Sequence, residues 1–563
     1  MRKAVSEPEK TESGASSKST SKFVAAHQTI MAGVMSRLCA FWQLAMKPGA
    51  VWWLMPATLL WLGWLSWPRS LHIPDEGRYV GVAWDMVRFH GDFTPLLNGL
   101  PYFHKPPLFY WLNEVSFLFF GAQEWAARLP SLLVSWFAAM ALYLFVRRHR
   151  GVKVATVTLL ALVTMPYYYG ASQYANLDML VAALITLTIL AGAEAVSRAH
   201  SGQPLHRVFA VAMGVLAALA VLSKGLIGIA LPAGVLFFWL LATRRWQGFG
   251  VLMAPWVWIG FVVVGLPWFI AMEITWPGFL HYFFVYQHFE RYLSDGFNQQ
   301  QPFWFFLPVV FGMSLPWSAW LLRYIWQRGG VVRDASWFWL MGIWMAVILV
   351  FFSIPASKLI GYTVPVLPAL AVLVAEAVVG SWRRLGVSEG QLSRDLRLTA
   401  YTAMIAVASC LLALVIFLFA NHRSSEAAID HMRSQLTVDD QFVTLDVYPF
   451  DLAFYTQNPK HTWVVFDWST LPEGDTWRHE LAEAGRFKPT LAKEILVNRT
   501  DLLPRLCAGP DRTYWFVAYP NERDRWDFLS DDKAFFTKRD GVTFWKKPVD
   551  KGFRDKWCKE TTK

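Results

Sequence analysis

A series of long apolar blocks, joined by short polar connections, constrains this chain more than any other feature of its sequence. The blocks lie at residues 51–67, 126–146, 154–169, 179–195, 209–222, 226–241, 252–272, 303–324, 337–352, 359–379 and 399–420. Several approach the roughly 20 residues that an α-helix needs to cross the hydrocarbon of a membrane. The pattern predicts a polytopic α-helical membrane protein with about 11 transmembrane helices, or up to about 13 if broken helices are miscounted.

The composition supports a membrane protein over a soluble one. Of the 563 residues, 55% are hydrophobic and only 17% are charged, whereas about a quarter of a soluble protein is charged. The net charge of +11 is spread over short clusters between apolar blocks and forms no single patch. The sequence therefore predicts no nucleic-acid partner, and membrane topology explains the cations better.

The basic clusters also predict the orientation of the chain. They fall on alternate connections, at 147–153, 198–207, 244–245, 323–333 and 383–397, and such connections face the cytoplasm. The connections predicted to face outward are 68–125, 172–178, 223–225, 273–302 and 354–358. We expect a multi-pass protein of the bacterial inner membrane, with a cytoplasmic N-terminus and a periplasmic C-terminus.

The two ends of the chain differ from its apolar middle. Residues 1–50 are predicted to form a disordered cytoplasmic extension followed by a segment lying on the membrane surface. Residues 421–563 are polar with short alternating stretches at 442–445, 463–466, 514–517 and 542–545, which favours a small α/β domain. If this domain is periplasmic, its two cysteines, Cys507 and Cys558, are expected to form a disulfide.

The first outward loop carries the most informative residues. Apolar residues at helical spacing over 79–89 and 108–120 predict two juxtamembrane helices that lie in the membrane interface. Asp75 and Glu76 stand at the start of the first of these helices, where the helix dipole favours carboxylates. Taken alone, the two acids are better explained as a helix cap than as catalytic groups.

Five motifs together resemble one family of membrane enzymes. They are Asp75-Glu76-Gly77-Arg78-Tyr79, Tyr102-Phe103-His104-Lys105-Pro106-Pro107, Leu177-Asp178, Leu222-Ser223-Lys224-Gly225 and Ser357-Lys358-Leu359-Ile360-Gly361-Tyr362-Thr363-Val364-Pro365. The chain resembles the GT-C polyprenyl-phosphate glycosyltransferases, especially the lipid A aminoarabinose transferases and the protein O-mannosyltransferase-like proteins. The resemblance covers 52–420 and implies a GT-C transmembrane catalytic domain over 51–420.

The resemblance also implies the substrates. The donor would be a sugar on a polyprenyl phosphate such as undecaprenyl phosphate, and the acceptor lipid A, lipopolysaccharide, another envelope glycan or a secreted protein. No nucleotide is expected, because the cytoplasmic connections are too short to hold a nucleotide-binding domain. Apart from these substrates, only membrane lipids are expected as partners.

Cations in the outward loops are the candidates for binding the donor phosphate. A sugar joined through C1 to a phosphate already has a good leaving group, so the departing oxygens need cations more than a general acid. Lys105 is preferred because two prolines fix its surroundings. The other candidates are Arg78, Lys224, Arg291 and Lys358, although a cation near the end of a span often extends to the membrane surface instead.

Asp75 is the main catalytic candidate, with Asp178 and Glu76 beside it. If the acceptor is a hydroxyl, Asp75 would act as general base. If the acceptor is a phosphate, Asp75 would bind the donor sugar or stabilise positive charge at C1. Asp178 starts an apolar block and is either functional or a helix N-cap. Tyr79, Tyr102 and Tyr362 belong to the motifs, and the resemblance implies that they contact sugar or lipid.

A metal ion is a further expectation. The aminoarabinose transferases usually have Glu-Lys-Pro-Pro, with the Glu implied as a ligand of a structural metal, where this chain has His104-Lys105-Pro106-Pro107. His281 and His288 are seven residues apart, on one face of a predicted helix. These three histidines would suit a divalent metal such as zinc. Alternatively, each is simply a hydrogen-bonded histidine at the interface.

Two functions of other classes are left open by the sequence. A flippase or transporter for lipid-linked sugars would also be polytopic, but transporters usually contain related halves, and this sequence shows no internal repeat. The tail by itself is also compatible with a structural assembly protein that presents a partner surface. The sequence favours an enzyme because its charged residues gather at one membrane surface.

Overall fold

The fold was obtained as a computed structural model, and most of the chain is helical. The structure describes residues 33, 40, 44–204, 206–290, 300–326, 335–382, 389–420, 424–471, 476–530, 535–537 and 542–558. Most of the N-terminal extension and surface segment predicted over 1–50 therefore lies outside the described residues.

Helices account for nearly all of the apolar part. Among the described residues, seven helices are long and apolar enough to span a membrane. The count is eight if one bent pair of helices is taken as a single span. The chain is thus a multi-pass membrane protein. The helices and helical turns before residue 421 are Pro48–Ala50, Val51–Gly63, Asp75–Phe89, Leu108–Phe120, Glu124–Arg150, Val152–Thr164, Pro166–Ser172, Leu177–His200, His206–Lys224, Ile227–Ala242, Trp246–Leu252, Pro255–Thr275, His281–Glu290, Phe306–Met313, Ala319–Trp326, Ala335–Ser353, Ile360–Val366, Leu367–Trp382 and Glu389–Ala420.

Each predicted apolar block coincides with one or more of these helices. Two blocks contain a short single helix, Val51–Gly63 and Ile227–Ala242. The block at 154–169 is bent by 66° between Val152–Thr164 and Pro166–Ser172. The block at 303–324 is divided by turns at 314–318. A prediction from hydropathy counts such pieces as spans because it sees apolar content but not the break in the helix.

The two predicted juxtamembrane helices are present as Asp75–Phe89 and Leu108–Phe120. Between them, Leu96–Leu97 pairs with Leu100–Pro101 across an Asn98-Gly99 turn. Both turn residues have positive φ, which this dipeptide tolerates well. The second helix ends in exposed apolar side chains, with Leu118 70% and Phe119 79% exposed. Such a surface is suited to contact with lipid.

The C-terminal part folds around a six-stranded sheet. In spatial order its strands are Leu496–Asn498, Trp463–Phe466, Gln441–Leu445, Arg512–Ala518, Thr543–Val549 and Phe536–Thr537. The first four are parallel and the last two antiparallel. Each alternating stretch predicted from the sequence overlaps a strand. The accompanying helices and helical turns are Glu426–Met432, Arg433–Gln435, Leu452–Thr456, Trp477–Phe487, Pro489–Ile495, Arg499–Ala508, Pro520–Arg525, Asp527–Ser530 and Lys551–Trp557.

The first outward loop packs directly against this C-terminal part. The side chain of Asn98 donates to the backbone oxygen of Thr462 at 2.8 Å and accepts from its backbone N–H at 2.9 Å. A Cβ at Gly81 would stand 2.6 Å from the backbone oxygen of Phe450, so the helix Asp75–Phe89 approaches that backbone closely. This packing brings residues from both ends of the sequence to one site.

Candidate active site

Asp75 occupies the first position of the helix Asp75–Phe89, and its side chain is 52% exposed. Its Oδ1 accepts a hydrogen bond from Arg78 at 3.2 Å. Desolvation by the surrounding protein raises the pKa of Asp75, Arg78 opposes that rise, and the nearby Asp178 carboxylate adds to it. Asp75 is therefore a reachable carboxylate whose proton affinity is increased by its surroundings.

Asp178 forms an ion pair with Lys224, in which Lys224 Nζ contacts Asp178 Oδ1. The cap of the helix Leu177–His200 is Asn176, whose side chain accepts from the backbone N–H groups of Asp178 and Met179. Since Asn176 makes the cap, the carboxylate of Asp178 is not needed for it. The ion pair joins the start of one long helix to the end of His206–Lys224.

Tyr362 and Gly361 complete the surroundings of this ion pair. The ammonium of Lys224 lies 4.7 Å from the centroid of the Tyr362 ring, a cation–π contact. Tyr362 also stacks on Phe352 at 5.0 Å. A side chain at Gly361 would collide with the Asp178 carboxylate. The absence of a side chain at 361 therefore allows the loop after 358 to pack onto Asp178.

Glu76 has a different environment from its neighbour Asp75. It is fully buried and accepts two hydrogen bonds of 2.9 Å from Arg128, and others from the backbone of Ala175 and His72. Burial raises the pKa of Glu76, but the Arg128 guanidinium outweighs it and lowers the pKa to about 2. The geometry favours a positioning role for Glu76 over the predicted catalytic one, because neither oxygen is open to a reactant.

Arg78 is paired with carboxylates on both sides. It contacts Asp75 and also donates to Glu480 at 2.7 Å, although 402 residues separate Arg78 from Glu480. Tyr79 lies under the same guanidinium at 5.7 Å, and Tyr102 is buried within range of the charges on Arg78 and Glu480. Arg78 therefore links the first outward loop to the C-terminal part and is less available to a phosphate than predicted.

His104 makes a second link to the C-terminal helix Trp477–Phe487. Its Nε2 lies 3.0 Å from Oε2 of Glu483, and the hydroxyl of Tyr282 donates to the same oxygen. The ring of His104 stacks on that of Tyr102 at 4.9 Å. The carboxylate of Glu483 thus pairs with the ring of His104.

The predicted metal site gains no support from the described side chains. His281 is exposed, and the side chain of His288 lies outside the described residues. Within the part of the chain that the structure describes, no three His, Cys, Asp or Glu residues are grouped to hold a metal ion. The metal stays a prediction, and we assign no chemical step to it.

The other predicted phosphate ligands lie in different environments. Lys105 is half-buried at the start of Leu108–Phe120. Lys358 is buried and donates to the backbone oxygens of Gln301 and Pro355, and desolvation lowers its pKa. Arg291 lies outside the described residues. Among the predicted cations with described geometry, Lys224 is the one placed beside both Asp75 and Asp178.

Several residues of this site were not identified from the sequence. Arg128, Glu480 and Glu483 hold Glu76, Arg78 and His104 in place. The spacing of Glu480 and Glu483 puts them on one helix face, but nothing local shows what that face contacts. Cys507 and Cys558, which were paired from the sequence, are joined by a disulfide with their Cα atoms 5.8 Å apart.

Sequence comparisons identify similar proteins. The family model described as dolichyl-phosphate-mannose-protein mannosyltransferase matches residues 104–276. The undecaprenyl phosphate-alpha-4-amino-4-deoxy-L-arabinose arabinosyl transferase of Enterobacter sp. (strain 638) is 30% identical over 57% of this chain and 58% of its own length. A relative with the same description, numbered 2, from Sodalis glossinidius (strain morsitans) is 32% identical over 54% of this chain and 56% of its own. These matches span less than two thirds of each relative.

The fold has a close counterpart among solved structures. ArnT from Cupriavidus metallidurans bound to undecaprenyl phosphate superposes with a TM-score of 0.73 at 23% sequence identity. The superposition covers 89% of this chain and 98% of that one, so it includes both the membrane helices and the C-terminal part. The chain is a multi-pass membrane protein that shares the fold of this solved structure.

Proposed function

We propose that this protein transfers 4-amino-4-deoxy-L-arabinose from undecaprenyl phosphate to lipid A at the periplasmic face of the inner membrane. The observation that carries the proposal is the position of Asp75, which is open to solvent and lies beside the Asp178–Lys224 ion pair. The relatives described as aminoarabinosyl transferases support the choice of donor. The shared fold supports a common overall arrangement.

The exposed carboxylate of Asp75 favours an amino sugar. Its side chain is 52% exposed and lies near the Asp178 carboxylate. A donor sugar that carries an ammonium group could pair with Asp75, whereas a neutral hexose would offer it no charge. This gives aminoarabinose an advantage over mannose, the sugar in the description of the matching family model.

The chemistry we assign to the site uses residues with described geometry. Asp75 takes a proton from an acceptor hydroxyl or, with a phosphate acceptor, orients the sugar; its raised pKa suits the first role. Lys224 and Lys105 would stabilise the departing phosphate oxygens, since positive charge is needed where negative charge develops. Glu76 with Arg128 holds the start of the helix that carries Asp75.

The site would face the periplasm. The basic clusters on alternate connections favour a cytoplasmic N-terminus and a periplasmic C-terminus. The disulfide between Cys507 and Cys558 is consistent with this orientation, because disulfides persist in oxidising compartments such as the periplasm.

The proposal is tested with purified protein in proteoliposomes that contain lipid A. Donor is supplied as undecaprenyl phosphate aminoarabinose in one arm and as a polyprenyl phosphate mannose in the other. We expect transfer to lipid A in the first arm and its loss in Asp75→Asn. A matched control is Asp395→Asn, which removes a carboxylate paired with Arg323 in a cytoplasmic connection and should retain transfer.

Each other result would count against a stated part of the proposal. Transfer only from the mannose donor would overturn the choice of sugar. Transfer to a co-reconstituted secreted protein but not to lipid A would overturn the choice of acceptor. Movement of the donor lipid across the bilayer without any transfer would favour a flippase.

A further inference from the structure

A small polar pocket lies beside the candidate active site, between the loop that follows the helix Val51–Gly63 and the end of the last described span. Its volume is about 90 Å³, well above the roughly 10–15 Å³ that a single water needs. The pocket is lined by Pro68, Arg69, Ser70, His72, Phe417, Leu418 and Glu426. The catalytic scheme above uses none of these residues.

Arg69 is the distinctive member of this pocket. It is only 7% exposed, and its Nη2 donates to the backbone oxygen of Gln173 at 2.6 Å. Its buried Nε–H has no hydrogen-bond partner among the described residues. A buried guanidinium with an unused donor is costly unless a ligand or a counter-charge meets it.

The local balance of buried charge points the same way. Arg69 and Arg128 are both buried; the fully buried carboxylate close to them is Glu76, and the half-buried Glu124 lies near Arg128. Glu76 already accepts two hydrogen bonds from Arg128. Burial, together with the neighbouring charge of Arg128, lowers the pKa of Arg69 to about 10. An additional anion in the pocket would give Arg69 a counter-charge, which would offset the cost of its burial and the repulsion from Arg128.

Glu426 does not prevent an anion from binding here. Burial and then the nearby Glu124 carboxylate raise the pKa of Glu426 to about 7. Near neutral pH a large part of the Glu426 population is therefore uncharged and does not repel an anion. Ser70, whose side chain is hydrogen-bonded to Glu426, lies in the same pocket.

The position of the pocket suggests where the anion comes from. Phe417 and Leu418 lie at the end of the last described span, Arg394–Phe419. Phe417 is 39% and Phe419 is 74% exposed, so this end of the helix offers an apolar surface to lipid. His72 and Asp75 are close enough to influence each other electrostatically. A lipid arriving along this surface would bring its headgroup to the pocket and to Asp75.

We propose that the Arg69 pocket binds a phosphate group of the acceptor lipid and so holds that lipid beside Asp75. This inference rests on the proposed function for the identity of the acceptor. The pocket itself predicts the chemistry of the ligand, a phosphate carried by a lipid. Arg69 is a binding and positioning residue here, and no covalent step is assigned to it.

The test measures binding to the full-length protein in detergent by native mass spectrometry. The probes are lipid A with its phosphates, lipid A with its phosphates removed, and inorganic phosphate. We expect phosphorylated lipid A to bind wild type, and Arg69→Gln to weaken it about tenfold or more, the effect of losing a hydrogen bond to a charged group. The affinity of Arg69→Lys for phosphorylated lipid A should lie between those of wild type and Arg69→Gln.

Three further variants make the result specific. Glu426→Gln should bind at least as well as wild type, because it removes a carboxylate but keeps a donor. Arg433→Gln removes an exposed guanidinium from the same region and should bind normally. Leu418→Trp fills the pocket from the lipid side and keeps the Arg69 guanidinium. If Arg69→Gln does not fold, loss of lipid A binding in Leu418→Trp supports the site.

The contrary outcomes are equally definite. Wild-type binding by both Arg69→Gln and Leu418→Trp would overturn the site, as would equal binding of lipid A without phosphates. If Arg69→Gln loses binding of inorganic phosphate but keeps binding of lipid A, the assignment of the bound phosphate to a lipid would be overturned. Asp75→Asn should bind lipid A while failing to transfer sugar, so failure of the pocket and failure of the proposed activity are distinguishable.

Discussion

Arg78 and Glu480 meet at 2.7 Å although 402 residues separate them in the sequence. Arg78 lies in the first turn of the helix that carries Asp75, and Glu480 lies in the C-terminal part. The ion pair therefore fixes the C-terminal part onto the helix Asp75–Phe89. Its partners are 20% and 3% exposed, so solvent screens it only weakly.

Replacing Glu480 by Gln should loosen this connection. The variant loses a hydrogen bond to a charged group, which costs about 2 kcal/mol, and Arg78 is left with Asp75 alone. We expect a lower thermal unfolding midpoint and reduced transfer, measured on the purified protein in detergent and in proteoliposomes. Glu494→Gln removes an exposed carboxylate from the next helix and should change neither. Equal midpoints for the two variants would contradict the role of the ion pair.

The sequence predicted the helices and strands better than it predicted the partners in the site. The helix 108–120 and the strand 463–466 follow from local apolar spacing, which the structure reproduces. The pairing of His104 with Glu483 could not be predicted, because it joins residues 379 apart and no pattern in either segment specifies the other.

Neighbouring residues with the same chemistry were also hard to separate. Asp75 and Glu76 both looked like active-site acids, but one is exposed and the other is buried against Arg128. Which of two successive residues points into the protein depends on the packing of the whole helix. Arg128 lies inside an apolar block, where no local pattern indicates its partner.

Glu76 should contribute to stability at neutral pH and lose that contribution in acid. Its pKa falls from an ordinary value of 4.5 to about 2 in the folded protein. The stabilisation is present in full above the unfolded value and disappears as pH falls from about 4.5 towards 2. This difference amounts to roughly 3 kcal/mol. Wild-type unfolding midpoints should therefore drop over this acid window.

The variant Glu76→Gln should lose that stabilisation at every pH. It leaves Arg128 buried without a counter-charge, which typically costs about 3–5 kcal/mol. Its midpoint at neutral pH should be lower than that of wild type, and the difference should shrink in acid. Asp430→Asn, at an exposed position, is the matched control. A constant difference between Glu76→Gln and wild type from neutral to acid pH would exclude the proposed charge pairing.

Gly361 should be intolerant of any side chain. The Cβ of Gly361→Ala would meet the carboxylate of Asp178 and displace it from Lys224. We expect transfer to fall by an order of magnitude or more, while the unfolding midpoint changes little, since most of the fold lies elsewhere. Gly342→Ala is the control, because a Cβ there meets no atom within 4 Å. Full activity in Gly361→Ala would show that the Asp178–Lys224 geometry is not required.

The disulfide between Cys507 and Cys558 should stabilise the C-terminal part. It closes a segment of 51 residues, for which the chain-entropy model predicts about 4 kcal/mol. Alkylation and mass analysis without reductant should leave this pair unmodified, and after reduction should modify both. Reduction should also lower the unfolding midpoint. Alkylation of both cysteines in the unreduced protein would refute the disulfide and weaken the assignment of this part to the periplasm.

The role of Asp75 can be examined through the pH dependence of transfer. A general base must be deprotonated, so activity should fall in acid as pH passes through the pKa of Asp75, which desolvation raises above its ordinary value of 3.8. Asp75→Asn should lose about 10²-fold or more in kcat/KM. Asp75→Glu should retain part of the activity, because it keeps a carboxylate.

Asp178→Asn provides the sharper test of this electrostatic arrangement. It removes the like charge that helps raise the pKa of Asp75 and releases Lys224, and both changes favour the ionised form of Asp75. The acid-side inflection of kcat/KM should therefore move to lower pH in whatever activity remains. Asp395→Asn should leave the inflection in place. An inflection that does not move in Asp178→Asn would mean that the titrating group is not Asp75, because no other change in this variant cancels the loss of a neighbouring carboxylate.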